Sequence, residues 1–293
     1  MSFLPCKFEE YISVETNRLV FLQKYLSDLG VKTTILQISD KKHLFVVFPE
    51  SSYDERFPVK TVICHYDRVA NSPGANDNSF ANLVIADFAA KINEMALEGR
   101  ICNIRICFTD GEELGDEGVF CQGAYGLANY FKKANIKSDE FFVFDACGRG
   151  DVPILAKTGI EVVKKSDTLF KRKFLYLYEK TKTILETVSP RNWMTLPVPY
   201  SDNAGFLACG IPCVVITFLP KEEANSYLRH LNNDNNLEKE VMNCKLSDDA
   251  DFEFKYREKM PMTWRLFHTE FDNTLSLTPN SYNLLNKILF QLL

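Results

Sequence analysis

Short runs of β-branched and aromatic residues alternate along this chain with longer segments whose apolar residues recur at helical spacing. No other feature restricts the fold as much. The strand-like runs are Thr33–Ile38, Leu44–Phe48, Val59–Cys64, Ile101–Phe108, Glu140–Phe144, Val152–Ala156 and Cys213–Phe218. A first helix is expected over about 14–29, with Leu19, Leu22, Tyr25, Leu26 and Leu29 on one face and Gly30 ending it. A second starts near Ser79, keeps Val84, Phe88, Ile92 and Met95 in register, and has Gly99 beyond its end. Others are expected near 121–134 and 166–187. The last has Thr278 as N-cap and Pro279 at the first helical position, and carries Tyr282, Leu285, Ile288, Leu289 and Leu292 to the terminus. Strands separated in this way by helices build an α/β fold, with a mixed, mostly parallel central sheet flanked by helices on both faces.

Composition narrows the class. The 293 residues are 46% hydrophobic, too apolar for a disordered chain. Lys plus Arg is 34 against 39 for Asp plus Glu, a net charge of −5, which argues against a nucleic-acid partner. No apolar run approaches the roughly 20 residues needed to cross a bilayer, and the first ten residues do not read as a signal peptide. The nine cysteines are odd in number, several lie in apolar runs such as Val62-Ile63-Cys64, and no C-x-x-C pair occurs. Reduced thiols in a cytoplasmic protein fit this better than a disulfide framework. Two stretches break the rhythm: 111–126, with glycines at 111, 115, 118, 123 and 126, and the polar 220–261, which holds Asn232-Asn233-Asp234-Asn235-Asn236. The second reads as an insertion, a lid or flexible flap, within one domain covering 1–293.

The residues directly after each apolar run carry the chemistry. Thr61-Val62-Ile63-Cys64 leads into His65-Tyr66-Asp67, Ile106-Cys107-Phe108-Thr109 into Asp110-Gly111-Glu112-Glu113, and Phe141–Phe144 into Asp145. In an open α/β sheet, ligands bind at the carboxyl ends of the strands. Arg265-Leu266-Phe267-His268 repeats the pattern late in the chain, and Asp77 lies in a turn before a helix. There Asn78 or Ser79 can cap the helix, which leaves Asp77 free for metal. Two imidazoles and several carboxylates at one crevice suit zinc, and cobalt or manganese can use the same donors. With Asp77 shared, the set divides into two three-ligand sites, the layout of a two-metal hydrolase in which the ions polarise a carbonyl and activate water. Of the neighbours Glu112 and Glu113, one can bind metal while the other takes a proton. His43 and His230 are read as structural, as are Asp116 and Glu117 in the acidic loop. Cys147 reads as a small buried thiol.

The motifs His65-Tyr66-Asp67, Gly74-Ala75-Asn76-Asp77-Asn78-Ser79, Asp110-Gly111-Glu112-Glu113-Leu114-Gly115, Phe144-Asp145, Ser201-Asp202-Asn203 and His268-Thr269-x-x-Asp272 occur in this order. In that order the chain resembles the dizinc aminopeptidases, metallopeptidase family twenty-eight, whose relatives include glutamate carboxypeptidase and the glutaminyl cyclases. The resemblance implies a zinc-exopeptidase, phosphorylase/hydrolase-like fold and two zinc ions. His65, Asp77 and Asp145 would hold one, and Asp77, Glu113 and His268 the other. Glu112 would be general base and then acid. Asp67 would orient His65, and Asp272 would do similar work near His268. Tyr200, Asp202 and Arg149 stand as substrate-binding candidates. The chain departs from many relatives at Asn203, where they carry His, and at Ala146-Cys147-Gly148-Arg149, where an apolar residue often follows the Asp145 position. These changes bear on substrate preference. The implied activity is removal of N-terminal residues from peptide or aminoacyl substrates. The rivals are a single-zinc acyltransferase of the glutaminyl cyclase kind, which has lost the full ligand set, and a non-catalytic binding module without metals.

Overall fold

The computed structural model describes residues 4–113, 118–136, 139–160, 163, 167–234, 236–243 and 256–293. Its centre is an eight-stranded sheet: β1 (Lys32–Ile38), β2 (Lys41–Val47), β3 (Lys60–His65), β4 (Ile104–Thr109), β5 (Glu140–Phe144), β6 (Val152–Ala156), β7 (Met194–Leu196) and β8 (Cys213–Leu219). The spatial order is β1-β2-β4-β3-β5-β8-β6-β7. β4, β3, β5 and β8 run parallel to one another, as do β6 and β7. The pairs β1–β2, β2–β4 and β6–β8 are antiparallel. The sheet is mixed and mostly parallel, as the alternation of runs implies.

The helices are α1 (Phe8–Ile12), α2 (Arg18–Asp28), α3 (Phe80–Leu97), α4 (Gly123–Lys133), α5 (Thr168–Val188), α6 (Asn203–Ala208), α7 (Lys221–Asn233), α8 (Leu237–Asn243), α9 (Met262–Arg265) and α10 (Asn280–Phe290). Side chains alternate across a strand, so Val62 and Cys64 of β3 face one layer and Ile63 the other. On the first face α2, α3, α5 and α10 bury Leu22, Phe88, Phe174 and Leu285 with Phe142 and Ile216. On the second, α4, α6, α7 and α8 bury Leu127, Phe206, Tyr227 and Leu237 with Phe141 and Val215. β3, β5, β6 and β8 are buried along their whole lengths, as strands covered on both faces must be.

Several boundaries differ from expectation for local reasons. The helix expected over 14–29 starts later, at Arg18, where the Asn17 side chain accepts the Val20 amide, and the short α1 precedes it as a separate helix. The run from Ile101 enters the sheet only at Ile104, because the amides of Cys102 and Asn103 both go to the Ser52 carbonyl. Thr278 does not cap the last helix; its hydroxyl accepts the Gly150 amide at 2.8 Å. The polar stretch 220–261 is not a bare flap over its described part. α7 and α8 lie in it, and Ala224, Tyr227, Leu237 and Val241 are buried against the sheet. Asn235 and residues 244–255, with Cys244, lie outside the described residues. So do Leu114, Gly115, Asp116 and Glu117 of the glycine-rich loop. No helix among the described residues is long and apolar enough to cross a membrane.

Candidate metal centre

The parallel order sets three carboxyl-terminal strand ends side by side. His65 is the last residue of β3 and pairs with Thr109, the last of β4. Asp110 follows, and Glu112 and Glu113 come within the next turn of chain. Asp145 comes directly after β5, its amide held by the Ile216 carbonyl of β8 at 3.2 Å. Asp77 arrives from the turn before α3. That turn requires Gly74: its φ is +56°, and a Cβ there would lie 2.5 Å from the Asp77 carbonyl oxygen. His268 enters from the segment after α9, itself with a left-handed backbone at φ 61°.

The side chains converge. His65 Nε2 lies 3.1 Å from Asp77 Oδ1 and 3.5 Å from Asp145 Oδ1. His268 Nε2 lies 3.4 Å from Asp77 Oδ2 and 3.0 Å from Glu113 Oε2. Asp77 therefore turns one oxygen to each imidazole. Donor atoms of His65, Asp77 and Asp145, and of Asp77, Glu113 and His268, fall within 4.8 Å of one another. His65, Glu112 and Glu113 form a third such group. Asp67 faces the far side of His65, with Oδ1 3.5 Å from Nδ1, while its Oδ2 accepts the Glu113 amide at 3.0 Å. One carboxylate thus braces the imidazole and the acidic loop together.

The loops are pinned by residues the spacing does not reveal. Asp272 does not support His268; its Oδ1 accepts the Asn76 amide at 2.8 Å and its Oδ2 the Asp77 amide at 3.1 Å. Asn78 does not cap α3, and neither does Ser79. The Asn78 amide donates to the Phe144 carbonyl at 2.8 Å, and its Oδ1 accepts the Ala146 amide at 3.3 Å, bracketing Asp145. Gln122 Nε2 donates to Glu112 Oε1 at 3.3 Å. The polar run Asn76-Asp77-Asn78 was the available signal for the second brace. The motif His268-Thr269-x-x-Asp272 singles out Asp272 but not its partners, which are backbone amides, and nothing in the sequence marks Gln122.

Crowding of buried charge sets the electrostatics. Burial pushes the Glu113 carboxyl up to about 7, helped by repulsion from Asp77 and opposed by His268. Burial raises Glu112 well above the usual carboxylate range, and repulsion from Glu113, Asp145 and Asp202 adds to it. For Asp77 the burial penalty is outweighed by His268 and His65, which hold it below its ordinary value. The carboxylates act in turn on the imidazoles: against the burial penalty, Asp77 and Glu113 bring His268 up to about 11. The site therefore demands positive charge at two points.

Other sequence candidates sit differently. Asp202 is buried and accepts the Thr109 hydroxyl; burial lifts it to about 7. Tyr200, two residues earlier, is half-exposed. The Arg149 guanidinium is committed to Thr263 Oγ1, the Ser276 carbonyl and Glu223 Oε1, at 3.1, 2.8 and 2.8 Å, and so ties α7 to the segment after β5. Cys147 is buried, with its thiol on the Ile216 carbonyl. His43 is buried in β2 and accepts the Asp110 amide. His230 meets Ser226 on α7.

The donor set fits divalent metal. His65 Nε2, on the side facing Asp77 and Asp145, and Oδ1 of Asp145 are buried without a hydrogen-bond partner, a costly arrangement unless something coordinates them. Mixed imidazole and carboxylate donors are what zinc takes.

A family model described as Peptidase family M28 matches residues 46–293. Among solved structures, the LapA aminopeptidase of Legionella pneumophila is 13% identical with a TM-score of 0.63, covering 98% of this chain and 69% of its own. A glutaminyl cyclase of Porphyromonas gingivalis is 13% identical with a TM-score of 0.60, covering 97% of this chain and 94% of its own. BSAP, a zinc aminopeptidase from Bacillus subtilis, is 15% identical with a TM-score of 0.51, covering 85% of this chain and 50% of its own. No curated protein matches the sequence.

Proposed function

The chain belongs to peptidase family M28, and from that premise we propose that it is a two-zinc exopeptidase that removes the N-terminal residue of peptides or aminoacyl compounds. The observation that carries this reading is the division of Asp77, one oxygen toward His65 and the other toward His268. It makes two three-ligand groups out of one shared carboxylate. In this reading His65, Asp77 and Asp145 hold one ion, Asp77, Glu113 and His268 the other, and cobalt or manganese can replace zinc. Bound zinc supplies Lewis acidity for the scissile carbonyl and lowers the pKa of water beside it.

The chain's own residues do the rest. Glu112 is half-buried beside the ligands and binds protons more tightly than an ordinary carboxylate. That suits a group that takes a proton from the attacking water and gives it to the leaving amine. Asp67 keeps His65 oriented, as carboxylates behind ligand imidazoles do. In this reading the half-exposed Tyr200 meets the substrate oxygen, while Asp202 on the Thr109 hydroxyl and Arg149 on Glu223 stay with their structural partners. The single sheet that supplies the site supports one domain over 1–293, and buried thiols such as Cys64, Cys107 and Cys213 support a reducing, cytoplasmic setting.

A second reading comes from the fold: the P. gingivalis glutaminyl cyclase shares it over 97% of this chain, which keeps a single-zinc acyltransferase as the alternative. A panel of aminoacyl, peptidyl and N-terminal glutaminyl substrates, with and without chelator, separates the two. The exopeptidase reading predicts chelator-sensitive release of amino acids, and Glu112→Gln should keep its zinc while losing about 100-fold or more in turnover. Cyclised glutaminyl product, or turnover indifferent to chelator, overturns it.

A further inference from the structure

Residues 1–45 lie outside the stretch that matches the family, yet one of their side chains reaches the loops of the metal centre. Arg18, the first residue of α2, is only 5% exposed, unusual for a guanidinium. Its Nη1 donates to the carbonyls of Tyr66 at 3.2 Å and Asp67 at 3.1 Å. Its Nη2 donates to the carbonyls of Pro73 at 2.7 Å and Gly74 at 3.3 Å, and to Ser79 Oγ at 2.6 Å. The first pair belongs to the segment that leaves β3 with His65 and Asp67. The second group belongs to the turn that delivers Asp77. One planar fork therefore spans both loops.

Two further contacts show that the fork is built in. A Cβ on Gly74 would lie 2.9 Å from Arg18 Nη2, so the guanidinium occupies space that any side chain at 74 would need. The Tyr11 ring lies 5.2 Å from the Arg18 guanidinium carbon, a cation–π distance. The connection also runs the other way. Arg68, on the ligand loop, donates to the carbonyls of Ile12, Ser13 and Val14 at 3.0, 3.0 and 2.6 Å. The partners of Arg18 are four carbonyls and a hydroxyl rather than a carboxylate, so its work is geometric: the N–H groups of Nη1 and Nη2, fixed in one rigid plane, hold two loops at one spacing.

We propose that Arg18 is a positioning residue that sets the separation of His65 and Asp77, and through it the affinity of the site for zinc. The proposal rests on the two-zinc reading and acts on it from outside the ligand set. Lysine cannot reproduce a fork that spans two loops, so Arg18→Lys should weaken zinc binding about tenfold or more, the range for residues that orient metal ligands. The readout is zinc affinity of the full chain by competition with a chromophoric chelator, alongside circular dichroism and thermal melting. Leu22→Ala is the control, since Leu22 is fully buried in the same helix and should lower the melting temperature while leaving zinc affinity unchanged.

Arg18→Lys binding zinc as the wild type does overturns the proposal, as does an equal weakening in Leu22→Ala. Should Arg18→Lys fail to fold, Ser79→Ala removes one end of the fork. Weaker zinc binding in that variant supports the clamp, and wild-type binding overturns it. A wild-type chain that binds no zinc overturns the two-zinc reading itself, an outcome distinct from either failure of the clamp.

Discussion

Lowering the pH should release a histidine that is not a ligand at all. His43 is buried in β2, and its Nδ1 accepts the amide of Asp110 at 3.4 Å, at the start of the loop that carries Glu112 and Glu113. Burial pushes its pKa down from 6.5 to about 4, only partly offset by the Asp67 charge. The unfolded chain then binds a proton that the folded chain refuses. Stability contributed by the neutral ring is complete above pH 6.5 and is lost as pH falls toward 4. Integrated between pH 7.5 and 4.5, this linkage amounts to roughly 2–3 kcal/mol. His43→Gln keeps an acceptor for the Asp110 amide and cannot titrate. Urea denaturation of chelator-treated wild type and variant at the two pH values isolates the effect, because every other titrating group cancels in the difference. Wild type should lose roughly 2–3 kcal/mol more than His43→Gln on acidification. Parallel losses in the two proteins refute the argument.

The geometry sets three other outcomes. His268→Ala should lower bound zinc measured by atomic emission, whereas His230→Ala, on α7, should leave it unchanged. Asp272→Ala leaves the buried amides of Asn76 and Asp77 without acceptors, at about 1–3 kcal/mol each; a lower denaturation midpoint together with weaker zinc binding is expected. Arg149→Ala should raise amide exchange over residues 221–243 by releasing Glu223, with zinc content held at the wild-type level. Lost zinc in that variant would place Arg149 in the site rather than in the frame.

Residues of the site were legible in the sequence where chemistry and strand ends coincide. His65, Glu112, Glu113 and Asp145 each come after an apolar run, and the parallel order of β3, β4 and β5 turns that coincidence into proximity. Asp77 was legible through its turn, though the reason it stays free is different: Asn78 braces the Asp145 peptide instead of capping α3. Contacts between a side chain and distant backbone could not be read. Arg18 meets carbonyls that any residue offers, so no pattern of side chains marks it, and the motif that marks Asp272 does not reveal that its partners are the amides of Asn76 and Asp77. β7 was missed because three residues carry too little periodicity, and α7 and α8 because their polar faces outweigh the few buried positions, Ala224, Tyr227, Leu237 and Val241.

The two-metal arrangement around Asp77 is tested most directly by counting zinc in the purified chain and in Asp77→Ala. Because Asp77 serves both groups, wild type should hold two ions per chain and the variant should lose affinity at both sites together. A single ion in the wild type, or a variant that gives up one ion and keeps the other at full affinity, contradicts the shared carboxylate.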